Sequence, residues 1–185
     1  MFDDHNLVSH AGLVPVLELA EKAGLSGLVG ECSTLPTANV GVKVRTILGG
    51  MLAGADSIDD LDVLRSGATG RVLGQVRAPS TIGTFLRQFT HGNVLQLGKV
   101  NRVLLRRLLG EFPGLAGTPG GLVMVDMDDT IREVHGYRKQ AAAFGYSGVR
   151  GLNALLVTVT GQGAAPLVAE ASLRRGNVRS GAGAA

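Results

Sequence analysis

The chain has 185 residues, 45% hydrophobic and 18% charged, with one cysteine and a formal net charge of +3. These values fit a globular protein of one domain, or a small domain plus part of another. They exclude a disulfide scaffold and a cysteine-based zinc site, and 28 glycines without a Gly-X-Y period exclude a collagen. The first residues, Met1-Phe2-Asp3-Asp4, are acidic where a signal peptide is basic. The apolar runs fall short of the roughly 18 to 20 residues a membrane span requires. A soluble, cytoplasmic protein without a membrane partner is expected.

Leu13, Val16, Leu17 and Ala20 recur at helical spacing, and Gly24 ends that helix as a C-cap. Cys32 beyond it reads as a partly buried loop thiol. A second helix is predicted from Val42 to Leu52 on the stripe Val44, Ile47, Leu48 and Met51, although Gly49 and Gly50 each cost about 1 kcal/mol relative to Ala. Ser57 and Asp60 form an N-cap box, with Asp in place of the usual Glu, for a short helix through Arg65. Ala78-Pro79-Ser80-Thr81 opens another helix with Ile82, Phe85, Leu86 and Phe89 on its apolar face. A last helix, Val94 to Leu109, turns Leu97, Val100, Leu104 and Leu108 inward and Arg102, Arg106 and Arg107 outward.

From Pro113 to Gly121 breakers dominate, and the character of the chain changes. Leu122 to Asp128 is an apolar run too short for an independent helix and fits a strand buried on both faces. Thr130 to His135, Leu152 to Thr160 and Leu167 to Leu173 are further strand candidates, the last two joined by a hairpin turn at Gly161-Gln162-Gly163. Helices followed by strands define an α+β chain with a boundary near residue 118.

Charge is uneven along this order. Residues 1–40 carry five acids against one base, and residues 41–110 carry ten bases against four acids. Most of those bases are arginines, whose planar fork suits phosphate. Nucleic acid is one partner such a segment fits; a solvated basic helix face is the other reading.

Asp126-Met127-Asp128-Asp129-Thr130 is the one dense chemical constellation. Side chains alternate along a strand, so Asp126 and Asp128 share a face and Asp129 takes the other. Two neighbouring carboxylates repel unless a cation is shared between them, and Mg²⁺ favours such hard oxygens. Acids closing a strand or accepting turn hydrogen bonds are the alternative. His5, His10, His91 and His135 are scattered without ligand spacing.

Two enzyme families place such a motif at a strand. Asp-x-Asp-x-Thr resembles the haloacid-dehalogenase phosphatases, in which Asp126 would be the nucleophile and Asp128 the acid/base. That family sets a helical crossover after the motif, where this sequence continues as strands. The second resemblance extends along most of the chain. Met51 to Arg65 (MLAGADSIDDLDVLR), Pro79 to Arg87 (PSTIGTFLR), Val125 to Thr130, Tyr137 with Lys139 and Ala143 to Tyr146, and Leu173 to Asn177 (LRRGN) resemble, in order, segments of bacterial insertion-sequence transposases with a group-1 DDE domain.

That resemblance implies a ribonuclease-H-like mixed sheet after an N-terminal helical, DNA-binding region over residues 1–118, with the first strands of the catalytic domain over 119–185. It implies DNA transposition, in which three carboxylates hold two Mg²⁺ (or Mn²⁺) ions about 3.5–4 Å apart for attack on a phosphodiester. In the family's Asp-x-Thr signature the first triad aspartate aligns with Asp128, and Asp126 becomes a supporting metal ligand. Arg87, Arg138 and Lys139 become candidate contacts to DNA, the partner being the element's terminal inverted repeats, with a homodimer as a further expectation. The remaining Asp and Glu would follow the LRRGN segment. Neither Glu133 nor Glu170 lies in a matching motif, so the sequence reads as a truncated transposase, inactive on its own. A DNA-binding or dimerising fragment, using the basic helices of residues 41–110 with a helix-turn-helix-like pair over 57–89, is the alternative.

Overall fold

The computed structural model describes residues 4–136 and 138–182; Tyr137, one of the residues carrying the resemblance, lies outside them. Its elements follow the expected order, helices first and strands after, and the chain is α+β. By packing it divides into two compact units, Met1–Phe89 and Thr90–Ala185.

The first unit is helical. It contains α1 (Leu13–Lys22), α2 (Leu25–Cys32), α3 (Val40–Leu52), α4 (Thr69–Leu73) and α5 (Pro79–Arg87), with a 3₁₀ helix at Asp59–Arg65. Leu13 and Leu17 of α1 meet Leu64 and Leu73 in a buried cluster, against which Leu48 and Val63 pack. Ile82 and Phe85 of α5 are also fully buried, and the Phe85 ring meets Phe89 edge-on at 5.1 Å.

Three details depart from the expected elements. The Ser57/Asp60 box forms, Asp60 Oδ2 accepting from Ser57 N and Ser57 Oγ at 2.8 Å each, but it opens a 3₁₀ turn rather than an α-helix. Helix α2, unmarked by the periodicity because Gly27 and Gly30 interrupt it, ends in Cys32, a half-buried free thiol. Gly50 of α3 has a packing reason: a Cβ there would stand 2.0 Å from Leu61 Cδ2. The helix gives up propensity there so that the 3₁₀ segment can approach its backbone.

The second unit begins with α6 (His91–Glu111), opened by a capping box in which Thr90 Oγ1 accepts from Asn93 N and Asn93 Oδ1 accepts from Thr90 N. Four strands follow: β1 (Val123–Glu133), β2 (Ala143–Phe144), β3 (Arg150–Gly161) and β4 (Leu167–Arg175). Every pairing among them is antiparallel. β3 is central, with β1 along one edge and β2 and β4 along the other. Helix α6 lies along β4, where Arg102 Nη1 meets Glu170 Oε2 at 2.6 Å and Asn101 Nδ2 donates to Val168 O at 3.4 Å. The expected hairpin turn joins β3 to β4. Gly161 is required there, since a Cβ would stand 1.9 Å from Ala116 O.

β1 corrects two expectations. The runs 122–128 and 130–135 form one strand, because the pairing with β3 is unbroken from Val123↔Gly161 to Glu133↔Gly151. Nor is the apolar run buried on both faces: Val123, Met124, Val125 and Met127 are all about half exposed or more. The reason is position. Among the described residues β1 pairs along one side only, and α6 packs against β4 instead of covering it.

Candidate functional site

The site is built on β1. Its eleven residues stay extended because β-branched Val123, Val125, Thr130 and Ile131 punctuate it and because its whole length is laddered to β3. On this frame Asp126 and Asp128 are two residues apart and exposed, so the pleat sends both carboxylates to one face. Across the ladder they stand opposite Thr158 and Leu156. Asp128 also opens, with Thr130 and Arg132, into a cleft of about 580 Å³ whose walls include Val94 and Leu97 of α6 and Leu173 of β4.

Asp129 behaves differently, as alternation requires. It points to the other face, where Asn153 Nδ2 donates to its Oδ2 at 2.6 Å and Arg174 Nη2 lies 3.2 Å away. Arg174 also donates to Asn153 Oδ1, from Nε at 2.8 Å and Nη2 at 2.6 Å, and reaches the carbonyl oxygens of Ser180 and Ala182. Asn153 is 1% exposed. One guanidinium thus ties β1, β3, β4 and the following segment into a desolvated network. Sequence reading missed Asn153 and Arg174 as partners. Their only signal was that Arg174 sits in the LRRGN segment.

The other candidates fall in different places. Arg138 and Lys139 are exposed in the segment after β1, in the same unit as Asp128. Arg87 is in the first unit, at the end of α5, with Nη2 resting 3.4 Å from Thr84 Oγ1. Helix α4 occupies the connection between the 3₁₀ segment and α5, the two members of the helix-turn-helix-like pair. Glu170 is engaged by Arg102, and Glu133 is exposed beside His135 at 4.0 Å.

As a donor set, Asp126 and Asp128 offer two hard, accessible carboxylates. That donor set would suit a hard divalent cation such as Mg²⁺ or Mn²⁺, whose remaining positions water and a phosphate would fill. Among the described residues no group of three acids, histidines or cysteines surrounds a common point, so two carboxylates are a partial shell for a two-ion centre. Among the described residues, too, no helix is long and apolar enough to cross a membrane.

The helices of the first unit and the antiparallel sheet of the second, whose leading strand carries a pair of accessible carboxylates, define an α+β protein. The family model of the transposase DDE domain, group 1, matches residues 1–185, and the chain belongs to that family. No curated protein and no solved structure matches the chain. The strand pairing argues against the phosphatase alternative as well, since β1 is followed by antiparallel strands and not by a helical crossover.

Proposed function

We propose that the chain acts in DNA transposition, with Asp128 as the first acid of the catalytic triad and Asp126 as a supporting ligand to the same metal. The observation that carries this reading is the pair of exposed carboxylates on one face of β1, within a chain of the DDE family. When bound, Mg²⁺ or Mn²⁺ would supply Lewis-acid stabilisation of the phosphodiester and activation of the attacking hydroxyl. The protein's own part is positional. β1 holds the two carboxylates at fixed spacing, and the buried Asp129–Asn153–Arg174 network on the opposite face keeps the strand in register. The ribonuclease-H-like reading of the sheet rests on the same family membership and on the β1–β3–β4 meander.

Arg87, Arg138 and Lys139 are the proposed DNA contacts, the partner being the terminal inverted repeats of the element. Residues 1–118 would carry the DNA-binding role and 119–185 the start of the catalytic domain, in the cytoplasm and as a homodimer where two ends are held together. Two carboxylates are too few for a two-ion centre, so cleavage by these 185 residues alone is not expected.

The test is a Mn²⁺ titration followed by nuclear magnetic resonance, with Asp128→Asn and Asp126→Asn beside the wild type. Signals of residues 125–129 should broaden first, and each substitution should weaken that effect. Broadening centred elsewhere, or unchanged in both variants, would overturn the assignment of the acid pair. Nicking of a repeat-ended duplex by the wild-type chain and not by Asp128→Ala would overturn the claim that it is inactive alone.

A further inference from the structure

Lys43 is an unusual residue for a basic chain. It sits on the inner face of α3 at 9% exposure, with no carboxylate partner among the described residues. Lysine is almost never this buried without a counter-ion, because desolvating an ammonium is costly. Its Nζ donates to Thr37 Oγ1 at 2.5 Å and stands 5.3 Å from the centroid of Phe85. The hydroxyl and the ring face offset part of the cost, but an ammonium has three N–H groups to place.

The space beside it is a cleft of about 300 Å³ between Lys43, Thr37 and one side of α5. That side presents Ser80, Thr84 and Gln88, at the four-residue spacing that stacks side chains on a helix, with Thr81 beside them. The lining contains no acid. The Thr84 hydroxyl donates to Ser80 O at 3.0 Å and accepts from Arg87 Nη2 at 3.4 Å, which lays the Arg87 guanidinium back along the helix against a residue of the lining. The Ser80 and Thr81 side chains are exposed and make no hydrogen bond among the described residues. Gln88 Oε1 is buried without a partner, and half a turn of its amide would present the NH₂ instead.

A buried cation, a second cation held against the lining Thr84, two free hydroxyls and an amide, with no acid in the lining, make a donor-rich cleft. We propose that this cleft binds a phosphate of a DNA backbone, with Lys43 as its inner cation and Ser80, Thr81 and Arg87 as its outer donors. The site is an open face running along α5, which suits one phosphate of a continuous strand better than an enclosed small anion. It lies in the first unit, separate from the acid pair of β1, and it rests on the reading of DNA as partner.

The experiment measures binding of a fluorescent 20-base-pair duplex to the full chain by anisotropy across a salt series. Lys43→Met should lower affinity about 5- to 10-fold near 0.1 M salt and make the log–log salt slope shallower by about 0.9, the signature of one lost phosphate contact. Arg179→Met, an exposed position in the second unit with the same change in charge and no assigned DNA contact, is the control for general electrostatics. Thr81→Val removes an exposed hydroxyl without touching the core and should cost about 3-fold; it carries the test if Lys43→Met fails to fold. Equal binding by wild type and both cleft variants, or an equal fall in Arg179→Met, would overturn the site while leaving DNA as partner. No duplex binding by the wild type would overturn the DNA reading itself. Inorganic phosphate that shifts the amide signals of Lys43 and Thr81, with no competition from duplex, would overturn the assignment to DNA in favour of a small-anion site.

Discussion

Arg174 Nη2 lies 3.2 Å from Asp129 Oδ2, and both side chains are more than four-fifths buried. The pair joins residues 45 positions apart, and Arg174 also donates to Asn153 Oδ1 and to the carbonyl oxygen of Ser180. Removing one partner strands the other charge in a desolvated setting. Arg174→Met should therefore destabilise the second unit by about 2–4 kcal/mol, and Arg174→Met with Asp129→Asn should recover part of that loss. Urea unfolding of the purified chain reads both. An additive double variant would mean that the two groups are not coupled.

Two glycines in neighbouring helices should respond to the same substitution with opposite signs. Gly27 in α2 has open space where a Cβ would stand, so Gly27→Ala should stabilise by about 0.5–1 kcal/mol through helix propensity. Gly50 in α3 meets the buried Leu61 side chain, and overpacking of about 1–3 kcal/mol outweighs the same gain. Thermal melts of the two variants should move apart; a Gly50→Ala variant as stable as Gly27→Ala would refute the close approach.

The capping box at Thr90 opens the longest helix of the protein. Thr90→Ala leaves the Asn93 N–H without its acceptor and should cost about 1 kcal/mol, seen as earlier fraying of residues 91–94 in amide exchange. Thr90→Ser should retain most of the protection. Equal exchange in all three proteins would show that packing against β4, not the cap, holds that end.

The Asp60 carboxyl is held below the usual carboxylate range, first by the Ser57 side-chain hydrogen bond, then by the backbone N–H groups of Ser57 and Asp56. A carboxyl whose folded value is depressed contributes stability above its unfolded value and loses it as pH falls through the folded one. The contribution is therefore present at neutral pH and fades below about pH 4. The group is fully exposed, so the effect is small. Asp60→Asn should narrow the gap between melting temperatures at pH 7 and pH 3; a gap unchanged from wild type would show that the box does not act through the charge.

Period was readable from the sequence because it is local. The stripes of α1, α3, α5 and α6 lie three and four residues apart, and those helices formed with ends shifted by a few residues, although Val16, Met51, Leu86 and Leu97, expected on the inner faces, are exposed. Period two likewise sufficed to put Asp126 and Asp128 on one face and Asp129 on the other. Glycine was misleading in both directions: Gly27 and Gly30 hid α2, while Gly50 proved to be a contact and not a flaw.

Register and burial belonged to the tertiary structure, because they depend on residues far apart in the chain. No local pattern says that Asp129, Asn153 and Arg174 converge; the antiparallel ladder through β3 brings them together. Nor does an apolar run reveal that its strand lies at an edge. Val125 and Met127 have the composition of a buried strand and an exposed position, since the covering helix lies along β4 instead. Lys43 is the same lesson in reverse. Its charge counts as surface in the sequence, and only the packing of α3 against α5 takes it out of water and turns it toward a cleft.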